Sequence, residues 1–164
     1  MARIYISLGS NIDREVHTRA GVKALADAFG ELELSSVYES EAVGFDGDAF
    51  YNMVIACDTD LEVHAANKVL ADIEDANQRD RSGPKFSSRT LDLDLLLYDD
   101  LVLSENGLTL PRDEILKNAF VLWPLAEIAP ELKHPVAKKS YAELWAEFDH
   151  TKENLRPISF DLDY

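Results

Sequence analysis

The chain has 164 residues, the usual size of one domain, and 46% of them are hydrophobic, enough for a sizeable core. Thirty-one acidic residues against 16 basic ones give a net charge of −15, which repels the phosphate backbone of nucleic acid and the anionic face of a membrane. No apolar run approaches the roughly 18 residues of a membrane span, and the start lacks the apolar stretch of a signal peptide, so a cytoplasmic location is expected.

Ile4, Ile6 and Leu8 alternate onto one face, as in a strand, and Gly9-Ser10-Asn11 ends it. A helix follows, capped by Asn11 or Ser10, with Asp13 and Glu15 in its first turn, an apolar stripe of Val16, Ala20, Ala24 and Ala28, and Gly30 at its close. Residues 32–40 read as extended, a loop carries Val43, Gly44, Phe45, Asp46 and Gly47, and a strand resumes over 50–57. That strand holds the single cysteine, Cys57, which cannot form an internal disulfide and, beside Val54, Ile55 and Ala56, reads as a buried and inert position. The next helix covers 61–77, with Leu61, Ala65, Val69, Ile73 and Ala76 at near-helical spacing.

A flexible basic loop then interrupts the acidic chain: Arg79, Arg81, Lys85 and Arg89 fall within eleven residues, interleaved with Ser82, Gly83, Pro84, Ser87 and Ser88. A solvated loop is the plain reading of that stretch. After it the alternating run 91–98 is a fourth strand. The order strand, helix, strand, strand, helix, strand predicts an α+β fold with a ferredoxin-like βαββαβ core and an antiparallel sheet. A hairpin over 101–110 turning at Glu105-Asn106-Gly107, a helix over 120–128 despite Pro124, and a short helix over 141–148 are added to that core. The whole is read as a single domain over 1–164, with residues 150–164, which carry no clear period, as a surface-draped tail.

The most informative segment is Arg89-Thr90-Leu91-Asp92-Leu93-Asp94-Leu95. On a strand, Leu91, Leu93 and Leu95 face the core while Asp92 and Asp94 share the opposite face, their backbones about 6.6 Å apart at about 3.3 Å per residue. Neighbouring carboxylates repel, which costs stability unless a cation lies between them, and a hard ion such as Mg²⁺ takes oxygen ligands and few protein ones. A solvated acidic strand face has the same pattern. The adjacent basic loop brings a metal-bound triphosphate level with that reading, because cations and a carboxylate pair arriving at one place suit it better than either alone.

Four collinear segments carry a family resemblance: IYISLGSN at the start, SSVYESEAVGFDGDAFYN in the middle, SRTLDLDLLLYDD after the basic loop, and FVLWPLAEIAPEL later. The third resembles the hallmark Arg-Thr-Leu-Asp-(Leu/Ile)-Asp-(Leu/Ile) segment of the 6-hydroxymethyl-7,8-dihydropterin pyrophosphokinases, and together they cover roughly residues 1–148. The resemblance implies transfer of a pyrophosphoryl group from ATP to a hydroxymethylpterin in folate biosynthesis. It implies that Asp92 and Asp94 hold two magnesium ions bound with ATP, that Arg89 contacts the phosphates, and that Arg79, Arg81 and Lys85 close over the nucleotide, Arg81 foremost. Thr109, Arg112 and Lys117 join the nucleotide side.

A pterin needs an aromatic surface to stack on and an amide to read its donor-acceptor edge. Phe50 and Asn52, two apart on a strand, share a face and fit that need; a core Phe with an Asn ending the strand fits the pattern equally. The resemblance assigns Phe50, Asn52 and Phe120 to the pterin, with Ser40, Ala42 and Val43 as pocket wall, although Ser40-Glu41 stands where the family often has Thr-Pro. Two further departures concern the phosphates: Arg112 stands where a His is common and Asn118 where an Arg is common, while Phe86 represents a bulky aromatic before the hallmark segment. His17, His64, His134 and His150 are scattered, with no Ser or Cys partner at a triad spacing.

The expected partners are therefore small molecules, ATP and the pterin, with no nucleic acid or membrane, and the expected state is a monomer. The altered Arg112 and Asn118 motivate an alternative, a non-catalytic pterin- or nucleotide-binding paralogue. An RNA-binding module of similar fold would need a basic face, which the acidity denies.

Overall fold

The computed structural model describes residues 1–40, 49–77, 90–149 and 154–162. Among the described residues eight strands appear in chain order: β1 (Ala2–Ser10), β2 (Glu33–Leu34), β3 (Val37–Ser40), β4 (Phe50–Thr59), β5 (Asp92–Tyr98), β6 (Leu103–Glu105), β7 (Leu108–Leu110) and β8 (Leu155–Ile158). Four helices accompany them: α1 (Arg14–Phe29), α2 (Val63–Ala76), α3 (Ala119–Ile128) and α4 (Tyr141–Glu147). The main sheet runs β5-β1-β4-β3-β8, with β2 pairing β4, and every pairing in it is antiparallel. The fold is mixed helix and antiparallel sheet, in line with the α+β expectation.

Alternation along the strands splits the core into two layers. Ile4, Ile6 and Leu8 of β1, with Met53, Ile55 and Cys57 of β4 and Leu93 and Leu95 of β5, bury against Val22 and Leu25 of α1 and Leu70 and Ile73 of α2. The other face carries Tyr5, Val54, Ala56, Leu96 and Leu97 against Val121, Leu122 and Leu125 of α3 and Tyr141 of α4. A register shift between Tyr5 and Ile6 breaks the period of β5, so the consecutive Leu96 and Leu97 both serve the second layer.

The helix positions shift in detail. The stripe Val16, Ala20, Ala24, Ala28 is not the buried face of α1: Val16 is 63% exposed, and the buried residues are Thr18, Gly21, Val22 and Leu25. Alanines carry little apolar weight, and close docking selects Gly21 instead, where an added Cβ would stand 3.0 Å from Leu8 and from Leu91. Nor do Ser10 or Asn11 cap the helix. β1 continues through Ser10, whose hydroxyl donates to the Thr90 carbonyl, and Asp13 takes the N-cap position in the left-handed region at φ 45°. Gly30 closes α1 at φ 86°, its N–H returning to the Ala26 carbonyl. In α2 the buried set is Val63, Ala66, Leu70, Ile73 and Glu74: Ile73 is buried as predicted, while Ala66 and Leu70 take the places expected of Ala65 and Val69, and Glu62 caps the helix through Ala65 N.

The hairpin β6–β7 turns at Asn106 and Gly107, both at positive φ, as its sequence predicts. The C-terminal stretch expected to drape over the surface supplies β8, which pairs with β3, while Phe160 packs edge-on against Tyr51. None of the helices among the described residues is long and apolar enough to cross a membrane.

Candidate active site

The register of the sheet assembles the site. Residues directly opposed across antiparallel strands point to the same face, and one such row reads Asp92 on β5, Gly9 on β1, Asn52 on β4 and Tyr38 on β3. The next row pairs Asp94 with Ser7 and Val54, and on the far side Phe50 pairs with Ser40. Asp92, Asp94, Phe50, Asn52 and Ser40 therefore share one sheet face, the face on which α3 packs and on which Phe120 lies half-buried. The carboxylate pair and the aromatic–amide pair, far apart in sequence, meet across Gly9.

Gly9 is what permits the close approach. A Cβ there would stand 3.3 Å from Asn52 Oδ1 and 3.7 Å from Phe50 Cδ1, so the bare backbone lets the amide lie over β1. Asn52 is buried, and its Nδ2 donates to Ser40 Oγ at 2.7 Å, which turns Oδ1 toward Gly9 and the carboxylates beyond. Ser40 thus contributes its hydroxyl as well as its backbone. Behind this wall, Glu127 of α3 accepts from Tyr38 Oη at 2.7 Å and from Ser36 N and Oγ at 3.0 and 2.8 Å, tying the helix that carries Phe120 to the strand that carries Ser40.

Asp94 is half-buried, and its carboxyl is pushed up to about 7, first by burial and then by Asp92, while Arg112 opposes the rise. Arg112 Nη2 lies 3.2 Å from Asp94 Oδ1, and its Nε lies 2.9 Å from Glu114 Oε2. Beside it opens a cleft of about 350 Å³ whose lining includes Gly107, Thr109, Arg112, Glu114, Lys117 and Asn118. Thr109, Arg112 and Lys117, the three residues from the second half of the chain expected on the nucleotide side, thus line one cleft, and Arg112 links it to Asp94. Arg79, Arg81, Lys85, Phe86 and Arg89 of the basic loop, and Ala42 and Val43 of the pocket wall, lie outside the described residues.

Glu74 is the residue that sequence periodicity missed. It sits beside Ile73 on the buried face of α2, and its Oε2 accepts from Leu93 N at 2.8 Å, bonding the edge of β5 between the two aspartates. An acid next to a predicted core position was its only signal. Cys57 is fully buried with its thiol pushed up to about 11 by burial, as an inert position requires. His134 Nδ1 accepts from Val136 N and Ala137 N, a turn-forming role. Among the described residues no cluster of three or more His, Cys, Asp or Glu that could hold a metal ion is assembled.

The family model for 7,8-dihydro-6-hydroxymethylpterin-pyrophosphokinase matches residues 5–130, which includes both halves of this face. The chain belongs to that family. The 2-amino-4-hydroxy-6-hydroxymethyldihydropteridine pyrophosphokinase of Aquifex aeolicus is 32% identical over 146 residues, covering 87% of this chain and 90% of its own length. The enzymes of that name from Methylorubrum extorquens and Pseudomonas aeruginosa are 39% and 36% identical, covering 80% and 81% of this chain and 85% and 84% of theirs. A solved HPPK-DHPS chain in complex with substrates superposes with a TM-score of 0.71 at 12% identity, over 88% of this chain. A Plasmodium falciparum HPPK-DHPS chain superposes at 0.70 and 13% identity over 89%. This chain spans 43% of each of those two structures, and the likeness is one of fold.

Proposed function

We propose that the chain transfers the pyrophosphoryl group of ATP to 6-hydroxymethyl-7,8-dihydropterin, giving the pterin pyrophosphate and AMP in folate biosynthesis. The observation that carries this reading is the row Asp92–Gly9–Asn52, which sets a carboxylate pair and a pterin-type recognition pair on one face with no side chain between them. Phe50 and Phe120 supply stacking surface, and the Asn52 amide, oriented by Ser40, reads the heterocycle's edge. Ala42 and Val43 complete the wall in this reading.

Asp92 and Asp94 are the residues that would hold Mg²⁺, two ions in the family reading. Their oxygen donors suit a hard cation, and a guanidinium already stands on Asp94 as a positive charge would. Such an ion supplies charge neutralisation for the triphosphate. The chain's own part is alignment: the pterin hydroxymethyl oxygen, held at the Phe50–Asn52 end, faces the β-phosphorus of a triphosphate lying along the Asp92–Asp94 end. Attack breaks the bond to the α-phosphate and AMP leaves. Thr109, Arg112 and Lys117 line the cleft that takes the nucleotide, and Arg79, Arg81, Lys85 and Arg89 are assigned to closing over it. No covalent intermediate is needed.

The strand order β5-β1-β4-β3 with α1 and α2 on one face supports assigning the core to the ferredoxin-like type. We read the chain as a cytoplasmic monomer. The alternative, a binding paralogue without turnover, draws on Arg112 being engaged by two carboxylates and on Asn118 in place of a cation. Incubation with ATP, Mg²⁺ and the hydroxymethyldihydropterin separates the two: AMP formed in step with pterin pyrophosphate supports the enzyme, and saturable binding of both ligands without AMP overturns it.

A further inference from the structure

The backbone of Arg112 is fastened to the strand that carries the carboxylates: its N–H donates to the Leu96 carbonyl at 3.1 Å, two residues beyond Asp94. Its side chain then divides between two acids, Nη2 at 3.2 Å from Asp94 Oδ1 and Nε at 2.9 Å from Glu114 Oε2, with Nη2 also 3.5 Å from Glu114 Oε1. Arg112 is itself part of the cleft's lining, together with Thr109, Lys117 and the acids Asp113 and Glu114. One cation is therefore shared between the Asp94 carboxylate and a cavity that holds a second cation, Lys117. The long side chain, hinged at a fixed backbone, reaches either.

Resting on the metal–nucleotide reading above, we propose that Arg112 is a displaceable internal counter-cation of Asp94, and that its transfer from that carboxylate to a nucleotide phosphate couples metal binding to nucleotide binding. A divalent cation arriving at Asp94 repels the guanidinium and takes its carboxylate oxygen. A triphosphate in the cleft draws the guanidinium away and bares the carboxylate. Each ligand thus removes an obstacle to the other, and linkage requires the effect to be reciprocal. Glu114 keeps hold of Nε throughout, so the guanidinium pivots locally. Arg112 acts here as a positioning residue for the metal site and becomes a phosphate contact only after the exchange.

The test reads binding rather than turnover. Free Mn²⁺ is counted by electron paramagnetic resonance against the wild-type chain, Arg112→Gln, Arg112→Lys and Asp94→Asn, with and without a nonhydrolysable ATP analogue. Separately, the Arg112 side-chain Nε–Hε signal, assigned by its loss in Arg112→Lys, is followed by NMR as Mg²⁺ and then the analogue are added. The expected result is that the analogue tightens Mn²⁺ binding to the wild type by about tenfold or more, a usual size for coupled sites. Arg112→Gln should bind Mn²⁺ alone several-fold more tightly and, after correction for Mn²⁺ held by the analogue itself, keep only the coupling that direct ion–phosphate contact supplies, several-fold less than in the wild type. The Nε–Hε signal should move at metal concentrations that saturate the Mn²⁺ site.

A signal unmoved through saturation, or coupling as large in Arg112→Gln as in the wild type, overturns the exchange even if that variant binds Mn²⁺ more tightly, since deleting any nearby positive charge would do that. If Asp94→Asn binds Mn²⁺ with the analogue as well as the wild type does, the metal role of Asp94 falls and the exchange with it. If Asp94→Asn loses the ion while Arg112 stays in place, the metal reading stands and only the exchange fails.

Discussion

Asp94→Asn removes one negative charge from the carboxylate pair at nearly constant size, and its effect on stability has a magnitude that depends on pH. The Asp94 carboxyl is pushed up to about 7 by burial and by Asp92, with Glu74 and Glu114 adding to the push and Arg112 opposing it. A carboxyl whose folded pKa lies above its unfolded value binds its proton more tightly in the native state. The stability it contributes is complete below the unfolded value of about 4 and is lost as pH rises through about 7. One pH unit corresponds to about 1.4 kcal/mol, so a rise of about three units sets a ceiling near 4 kcal/mol. Because 29% of the Asp94 side chain reaches water, screening brings the expected difference to about 1–2 kcal/mol. At pH 8 in EDTA, Asp94→Asn should therefore melt about 3–6 °C above the parent chain, and at pH 4 the two should melt together. Circular dichroism melts at pH 4, 6 and 8 provide the measurement. A variant that melts below its parent at pH 8 refutes the reasoning, because it would mean that the Arg112 pair outweighs burial and repulsion. The same substitution should cost about 100-fold or more in AMP formation, the stability being surrendered for the site.

Gly9→Ala places a methyl group 3.3 Å from Asn52 Oδ1, and should raise KM for the pterin about tenfold with KM for ATP little changed; an unchanged pterin KM removes Gly9 from the recognition row. Gly21→Ala gains about 1 kcal/mol of helix propensity but drives its Cβ to 3.0 Å from Leu8 and Leu91, an overpacking cost of about 1–3 kcal/mol, so a Tm lower by a few degrees is expected and a higher one contradicts the docking. Glu127→Ala leaves Tyr38 Oη and Ser36 without their acceptor and should lower the urea midpoint by an amount worth about 1–2 kcal/mol, whereas a midpoint equal to that of the parent shows that water replaces the bonds.

Much of the local structure was legible along the chain. The alternation of leucines with Asp92 and Asp94 specified a strand with both acids on one side, and Asn106-Gly107 specified a two-residue turn, because side-chain period and backbone φ are properties of a few adjacent residues. The buried face of α1 was not legible: four alanine-rich positions outvoted Gly21, whose importance lies in having no side chain where Leu8 and Leu91 approach. Glu74 was hidden for a related reason. Helical periodicity sorts acids to the outside, and only the position of α2 beside the edge of β5 gives a buried carboxylate the Leu93 N–H as donor.

By itself the sequence determined which chemical groups exist and how neighbours along one element face: a paired-acid strand, an aromatic–amide strand, a basic loop and a family-type hallmark. The tertiary structure decided that the paired acids and the aromatic–amide pair share one face. β1 lies between β4 and β5 in a register that sets Gly9 opposite both Asn52 and Asp92, and Pro111 leads into a turn that lays Arg112 upon Asp94. Strand registry depends on the packing of residues about 40 to 90 positions apart and the Arg112–Asp94 pair on residues about 18 apart, and no short-range period along the chain encodes either distance.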